Sequence, residues 1–254
     1  MKYLIKKIFK SNIIINYRNL LNLRPVKINT NQVDKNFSIS DSFPWRTDIN
    51  YSTIFRYKDL LNFFYNESKT KVDINFFSKK GILIKKIENY NLNSENEIII
   101  NKEFMNGVED YGTFSIYHKS DNKKISIRNS CYTGFSFKQK SYVFVHGNVP
   151  TSAKEFEDHK SRMITGIIGK SLFKNQTYKI QNSFDYSDFT ELFIHNPCTT
   201  SIRVQIDNDN FSLNKDSSKI YKLRKKEITI KSNCYLLRPI IFNYEKDTVD
   251  VFHG

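Results

Sequence analysis

From residue 36 to the end, the chain is built of short runs in which apolar and polar residues alternate with a period of two. In "KVDINFF" (71–77) Val72, Ile74 and Phe76 alternate with Lys71, Asp73 and Asn75, and in "KKISIRN" (123–129) Ile125 and Ile127 do the same. "GTFSIYH" (112–118) follows the same pattern through Phe114 and Ile116. A period of two places one set of side chains on each face of a strand, so each run predicts a strand with one face against a core. The turn signals "SKKG" (78–81), "MNG" (105–107) and "SDNKK" (120–124) separate the runs at intervals suited to a sandwich or barrel. The fold class is therefore mainly β.

The second half of the chain echoes the first. With Asn66 placed over Asn196, "FFYNESKTKVDINF" (63–76) lies on "FIHNPCTTSIRVQI" (193–206) without a gap, so that Val72, Ile74 and Phe76 meet Ile202, Val204 and Ile206. "VHG" at 145–147 likewise answers "FHG" at 252–254. These matches predict a degenerate internal repeat: two tandem antiparallel β-sandwich-like domains at 36–148 and 186–254. Residues 63–76 and 193–206 are expected to be equivalent hairpins. The first domain is expected to be the larger, through an added strand pair around 125–144. Between the domains, 149–185 reads as a short helical or irregular linker, because Ser152 and Glu155 have the spacing of a capping box while Gly166 and Gly169 weaken the helix that would follow. Residues 1–35 form a basic extension, whose Leu4, Ile5, Ile8 and Phe9 fall at helical spacing opposite lysines.

Charge bears on partners. The net charge of +14 suggests a polyanion, but it comes from 31 lysines and only 9 arginines. Phosphate and base recognition favour the planar fork of arginine. Nucleic-acid binding through the basic surface is accordingly an alternative rather than the leading expectation. No apolar run reaches the roughly 18–20 residues of a membrane span. The expected compartment is the cytoplasm, with peripheral membrane contact through residues 1–24 as an alternative. Cys131, Cys198 and Cys234 are dispersed and form no zinc spacing, which predicts free thiols in a reducing compartment.

Catalytic signatures are sparse. His118, His146, His159, His195 and His253 make no HExxH or cupin-type pattern, so neither metal nor cofactor is expected. "TGIIGKS" (165–171) ends like a phosphate-binding loop, but its glycines are too close together. What remains is a binding surface. "SDSFPWRTD" (40–48) contains Arg46, and "RNSCYTGFSFKQKSY" (128–142) sets Tyr132 and Tyr142 among Arg128 and two lysines. Alternation sends Phe135 and Phe137 to the core. The expected ligand residues are Arg46, Arg128, Tyr132, Tyr142 and His146, and the expected function is non-catalytic recognition of carbohydrate or a protein partner through the first domain. The competing expectation is an enzyme acting on sugars or sugar conjugates between the two domains, using His146 and His195.

Overall fold

The computed structural model describes residues 14, 17, 36–68, 70–93, 95–119, 125–129, 131–157, 160–180, 187–223 and 228–254. The basic segment 1–35, apart from two isolated positions, lies outside them. The described residues are nearly all β, in five four-stranded sheets arranged as a five-bladed β-propeller. Blade 1 has the order β12 (Lys160–Thr165), β11 (Pro150–Glu157), β1 (Asn36–Asp41), β8 (Ser126–Arg128). Blade 2 is β2 (Phe43–Arg46), β7 (Tyr111–Lys119), β4 (Lys71–Ser78), β5 (Leu83–Asn91). Blade 3 is β10 (Val143–His146), β9 (Tyr132–Phe137), β3 (Tyr51–Lys58), β6 (Glu95–Ile100). Blade 4 is β17 (Ser218–Lys222), β14 (Phe189–His195), β19 (Ile240–Glu245), β20 (Thr248–His253). Blade 5 is β13 (Gln176–Ile180), β18 (Ile228–Ser232), β15 (Ile202–Ile206), β16 (Asp209–Leu213). One short helix, α1 (Leu60–Tyr65), follows β3.

Each blade packs on the next. Ser38 and Ser40 of blade 1 accept from the backbone N–H groups of His118 and Ile116 of blade 2, at 2.7 and 2.9 Å. Blades 2 and 3 share a core of Phe43, Trp45, Phe55, Phe76, Ile100 and Phe114. Blades 3 and 4 share Phe135, Phe137, Val145, Phe193, Phe242 and Val251. Leu192, Ile194, Val204 and Ile230 join blades 4 and 5, and the same cluster takes in Ala153, Ile39 and Ile164 of blade 1, which closes the ring.

This arrangement corrects the expectation of two tandem sandwich domains. The apolar cluster between blades 3 and 4 spans the would-be boundary, and a fifth sheet has no place in a two-sandwich plan. Nor is 149–185 a helical linker, since it supplies β11, β12 and β13. β11 lies antiparallel to β1, with Ile39 opposite Ala153. Ser152 caps no helix there; its hydroxyl meets Tyr117 Oη at 2.6 Å.

The expected equivalent hairpins also fail. Residues 63–65 belong to α1 rather than a strand, and β14 and β15 lie in different blades. The added strand pair around 125–144 is corrected as well, because only β8 extends that stretch; β9 and β10 sit in blade 3 where β19 and β20 sit in blade 4. The strand order of blade 2 nevertheless matches that of blade 5 position for position, with β4 and β15 third in their sheets, and that of blade 3 matches blade 4 read in reverse.

Candidate functional site: the open face of blade 3

Blade 3 has one face in the cores and one toward solvent. Cross-strand register fixes which residues share the open face. His146 stands opposite Tyr132, Tyr132 opposite Arg56, and Arg56 opposite Glu97, giving one row across four strands. The next row is Phe144, Gly134, Ile54 and Ile99. The Tyr132 and His146 rings lie 4.3 Å apart between centroids. Arg56 Nε donates to Glu97 Oε2 at 2.8 Å, while its guanidinium carbon lies 4.9 Å from the Phe144 ring centroid. Both ion-pair partners are about half exposed, so the pair orients the guanidinium more than it stabilises the fold.

Gly134 keeps this face flat. A Cβ built there would meet Ile54 Cγ2 and Phe144 Cε1, each at 2.7 Å. Without a side chain on β9, Phe144 can reach across the strand toward Ile54. Tyr142, half-buried at the end of the face, lies 3.2 Å from Ser52 Oγ through its hydroxyl.

At the Arg56 end the face opens into a cavity of about 870 Å³, lined among others by Tyr57, Phe64, Asn96, Glu97, Arg128 and Tyr132. α1 supplies Phe64. Asp59 caps this helix by accepting from Asn62 N–H at 2.9 Å, and Asn66 ends it in the left-handed conformation with φ 56°. Arg128 enters from β8, held by a two-point pair with Asp41 (2.8 Å for each bond). Burial pushes the Asp41 carboxyl above its ordinary pKa, and Arg128 offsets part of that rise. Tyr57, 3% exposed, has a hydroxyl buried without a hydrogen-bond partner among the described residues, and burial pushes its pKa above the ordinary tyrosine value. That hydroxyl is closed off from the cavity, because Tyr57 belongs to the core between blades 2 and 3, with its ring 4.8 Å from that of Phe55.

The structure thus brings Tyr132, His146 and Tyr142 onto one face and places Arg128 at its cavity. It does not bring Arg46 there. Arg46 is fully buried, with two bonds to Asp48 (2.9 and 2.8 Å) and one to Glu191 Oε2 (2.8 Å). Tyr244 donates to the same Glu191 oxygen at 2.6 Å, and the guanidinium lies 4.1 Å from the Tyr51 ring centroid. This cluster ties blades 2, 3 and 4 together away from the open face of blade 3. His195 is buried in β14, its Nδ1 3.5 Å from Ser218 Oγ, and burial lowers its pKa to about 4. It belongs to the inside of blade 4, whereas His146 is on the open face of blade 3.

Sequence reasoning missed Arg56, Tyr57, Phe64, Asn96, Glu97 and Phe144. "YSTIFRYK" (51–58) carries a usable signal, since alternation puts Ser52, Ile54, Arg56 and Lys58 on one face. Only register places that face beside Tyr132. Among the described residues no group of three or more His, Cys, Asp or Glu is placed to hold a metal ion, and no helix is long and apolar enough to cross a membrane.

No protein-family model and no curated protein matches the sequence. Among solved structures, that of a Streptomyces avermitilis α-L-rhamnosidase complexed with L-rhamnose is similar at 10% identity over 85% of this chain, with a TM-score of 0.22. The chain spans 27% of the length of that protein. At this TM-score the likeness carries no argument.

Proposed function

We propose that the protein binds carbohydrate, without chemistry, on the open face of blade 3, and that the chain of sugar rings ends in the cavity beside α1. The observation that carries this reading is the pair of exposed aromatic rings, Tyr132 and Phe64, lining one cavity beside the Arg56–Glu97 ion pair. Sugar rings offer apolar C–H faces for aromatic side chains and hydroxyls for polar ones. Glu97 provides an acceptor for those hydroxyls, and Arg56 is oriented to donate. An acidic residue within the row also disfavours a phosphate backbone, which supports sugar over single-stranded nucleic acid at this face.

The test is glycan-array binding by the full chain, followed by titration calorimetry with the best oligosaccharide. Tyr132→Ala is expected to lower affinity about tenfold, equivalent to the roughly 1–1.5 kcal/mol of an aromatic contact. Phe64→Ala should weaken binding several-fold while leaving thermal stability unchanged, because its ring is exposed on the cavity. Absence of glycan binding by the folded protein, or full affinity in both variants, overturns the reading.

A further inference from the structure

The outward face of blade 5 differs in chemistry from that of blade 3. Strict alternation in "IRVQI" (Ile202–Ile206) buries Ile202, Val204 and Ile206 and turns Arg203 and Gln205 outward. The neighbouring strands contribute Thr177 and Lys179, Thr229 and Lys231, and Asn210 and Ser212 to the same face. Every one of these side chains is neutral and hydrogen-bonding or cationic. Among the described residues of these strands and their turns, the acids are Asp207, in the β15–β16 turn, and Asp209, which points to the other side and accepts from Tyr221 Oη at 2.7 Å.

Register sets the three cations on a line. Lys179 stands opposite Thr229, Lys231 lies two residues further along β18, and Arg203 falls at the level of Asn233, two residues further again on β15. Each step crosses one strand and advances two residues, about 8 Å from the spacings of a β-sheet. All three are exposed, and none takes part in an ion pair among the described residues. A cavity of about 340 Å³ on this face is lined by Arg203, Lys231, Gln205, Asn210, Ser212 and Asn175, among others.

We infer that the outward face of blade 5 is a second binding surface, which takes a linear acidic polysaccharide along the diagonal Lys179–Lys231–Arg203. Unpaired cations at regular intervals match charges carried at intervals on an extended polymer, and the interleaved hydroxyls and amides match its sugar hydroxyls. A nucleic-acid strand is matched less well, because the outward rows present no aromatic ring for stacking bases. A membrane surface is matched less well too, because the strand rows present no apolar side chain to insert and the exposed Leu172 and Phe173 stand in the loop beside Arg203, at one end of the diagonal only. The inference is independent of the blade 3 reading, since the two faces share no residue.

The test uses the whole 254-residue chain with heparin as the sulfated polysaccharide, poly(uridylic acid) as the single-stranded nucleic acid and dextran as the neutral chain. Heparin binding that weakens with salt, with dextran inert at this face, is the expected result. The triple variant Lys179→Ser, Lys231→Ser, Arg203→Ser should lose at least tenfold in heparin affinity. A variant with the same loss of charge elsewhere, Lys71→Ser, Lys80→Ser, Lys222→Ser, should stay within twofold of the parent. All six side chains are exposed, and circular dichroism checks the fold; Lys231→Ser alone, expected to lose about threefold, serves if the triple variant does not fold. Equal losses in the two triple variants would reduce the effect to net charge and overturn the inference. So would no heparin binding, or tighter binding of poly(uridylic acid) through the same three residues. Variants of the blade 3 face, such as Tyr132→Ala, should leave heparin binding unchanged.

Discussion

His118 illustrates how much a single buried side chain can commit a fold to one protonation state. It is fully buried in β7, neither ring nitrogen has a hydrogen-bond partner among the described residues, and burial lowers its pKa to about 4 against a weaker opposing pull from Asp59. The native state therefore holds this ring neutral. An unfolded chain takes up the proton near the ordinary histidine value of about 6.5. The stability associated with the neutral ring is present above that value and is lost as pH falls toward 4, because only the unfolded state binds the proton across that interval. The shift corresponds to about 3 kcal/mol at most. His118→Phe removes the titration while keeping a ring of similar size. Urea unfolding at pH 7 and pH 4.5 should therefore give a pH-dependent loss of stability that is about 2–3 kcal/mol smaller in the variant. Equal losses in the two proteins would rule out His118 as the source. His195 and His253, each also lowered to about 4 by burial, should add to the acid sensitivity that both proteins retain.

At the scale of elements, the strands that read clearly in the sequence are those with regular alternation, although β7 proves buried on both faces. "KVDINFF" and "YGTFSIYH" became β4 and β7, paired with Ile74 opposite Ile116 and Phe76 opposite Phe114. Elements with mixed signals were misread. "LLNFFY" is an apolar run that reads as strand, but Asp59 before it and Asn66 after it are caps, and the helix buries Leu61 while exposing Phe63 and Phe64. "SAKEFEDHK" has a capping-box spacing, yet its partner is β1, far away in sequence, and tertiary pairing decided its form. The same limit applied to the site: Tyr132 and His146 could be picked from one strand and its neighbour, whereas Arg56 and Glu97 join them only through long-range register. The helix also makes a testable link between a cap and the proposed binding cavity. Asp59→Ala deletes the acceptor for Asn62 N–H and for the Thr70 hydroxyl, and should cost about 1–2 kcal/mol. Because α1 carries Phe64, binding of an oligosaccharide should weaken several-fold under conditions where the variant is fully folded. Unchanged affinity would remove Phe64 from the proposed site.

At the scale of the whole molecule, the apolar clusters make the five blades interdependent. Phe135, Phe137 and Val145 from the first half share a core with Phe193, Phe242 and Val251 from the second. The buried Arg46 adds a polar tie across the same junction, where loss of one partner would leave Glu191 buried and uncompensated. Blade 1 closes the ring by packing on both its neighbours. No half can unfold without exposing apolar surface of the other, which predicts one cooperative transition. The sequence provides two separate reporters. Trp45, the single tryptophan, is fully buried between blades 2 and 3, where its Nε1 donates to Phe77 O at 2.9 Å. Cys198 and Cys234 are buried in the core of blades 4 and 5, with their sulfurs 3.8 Å apart. In a Cys131→Ala background, Trp45 fluorescence and thiol labelling should give the same denaturant midpoint. A labelling transition at lower denaturant than the fluorescence transition would mean that the second half opens alone, and that the shared core is too weak to couple the blades.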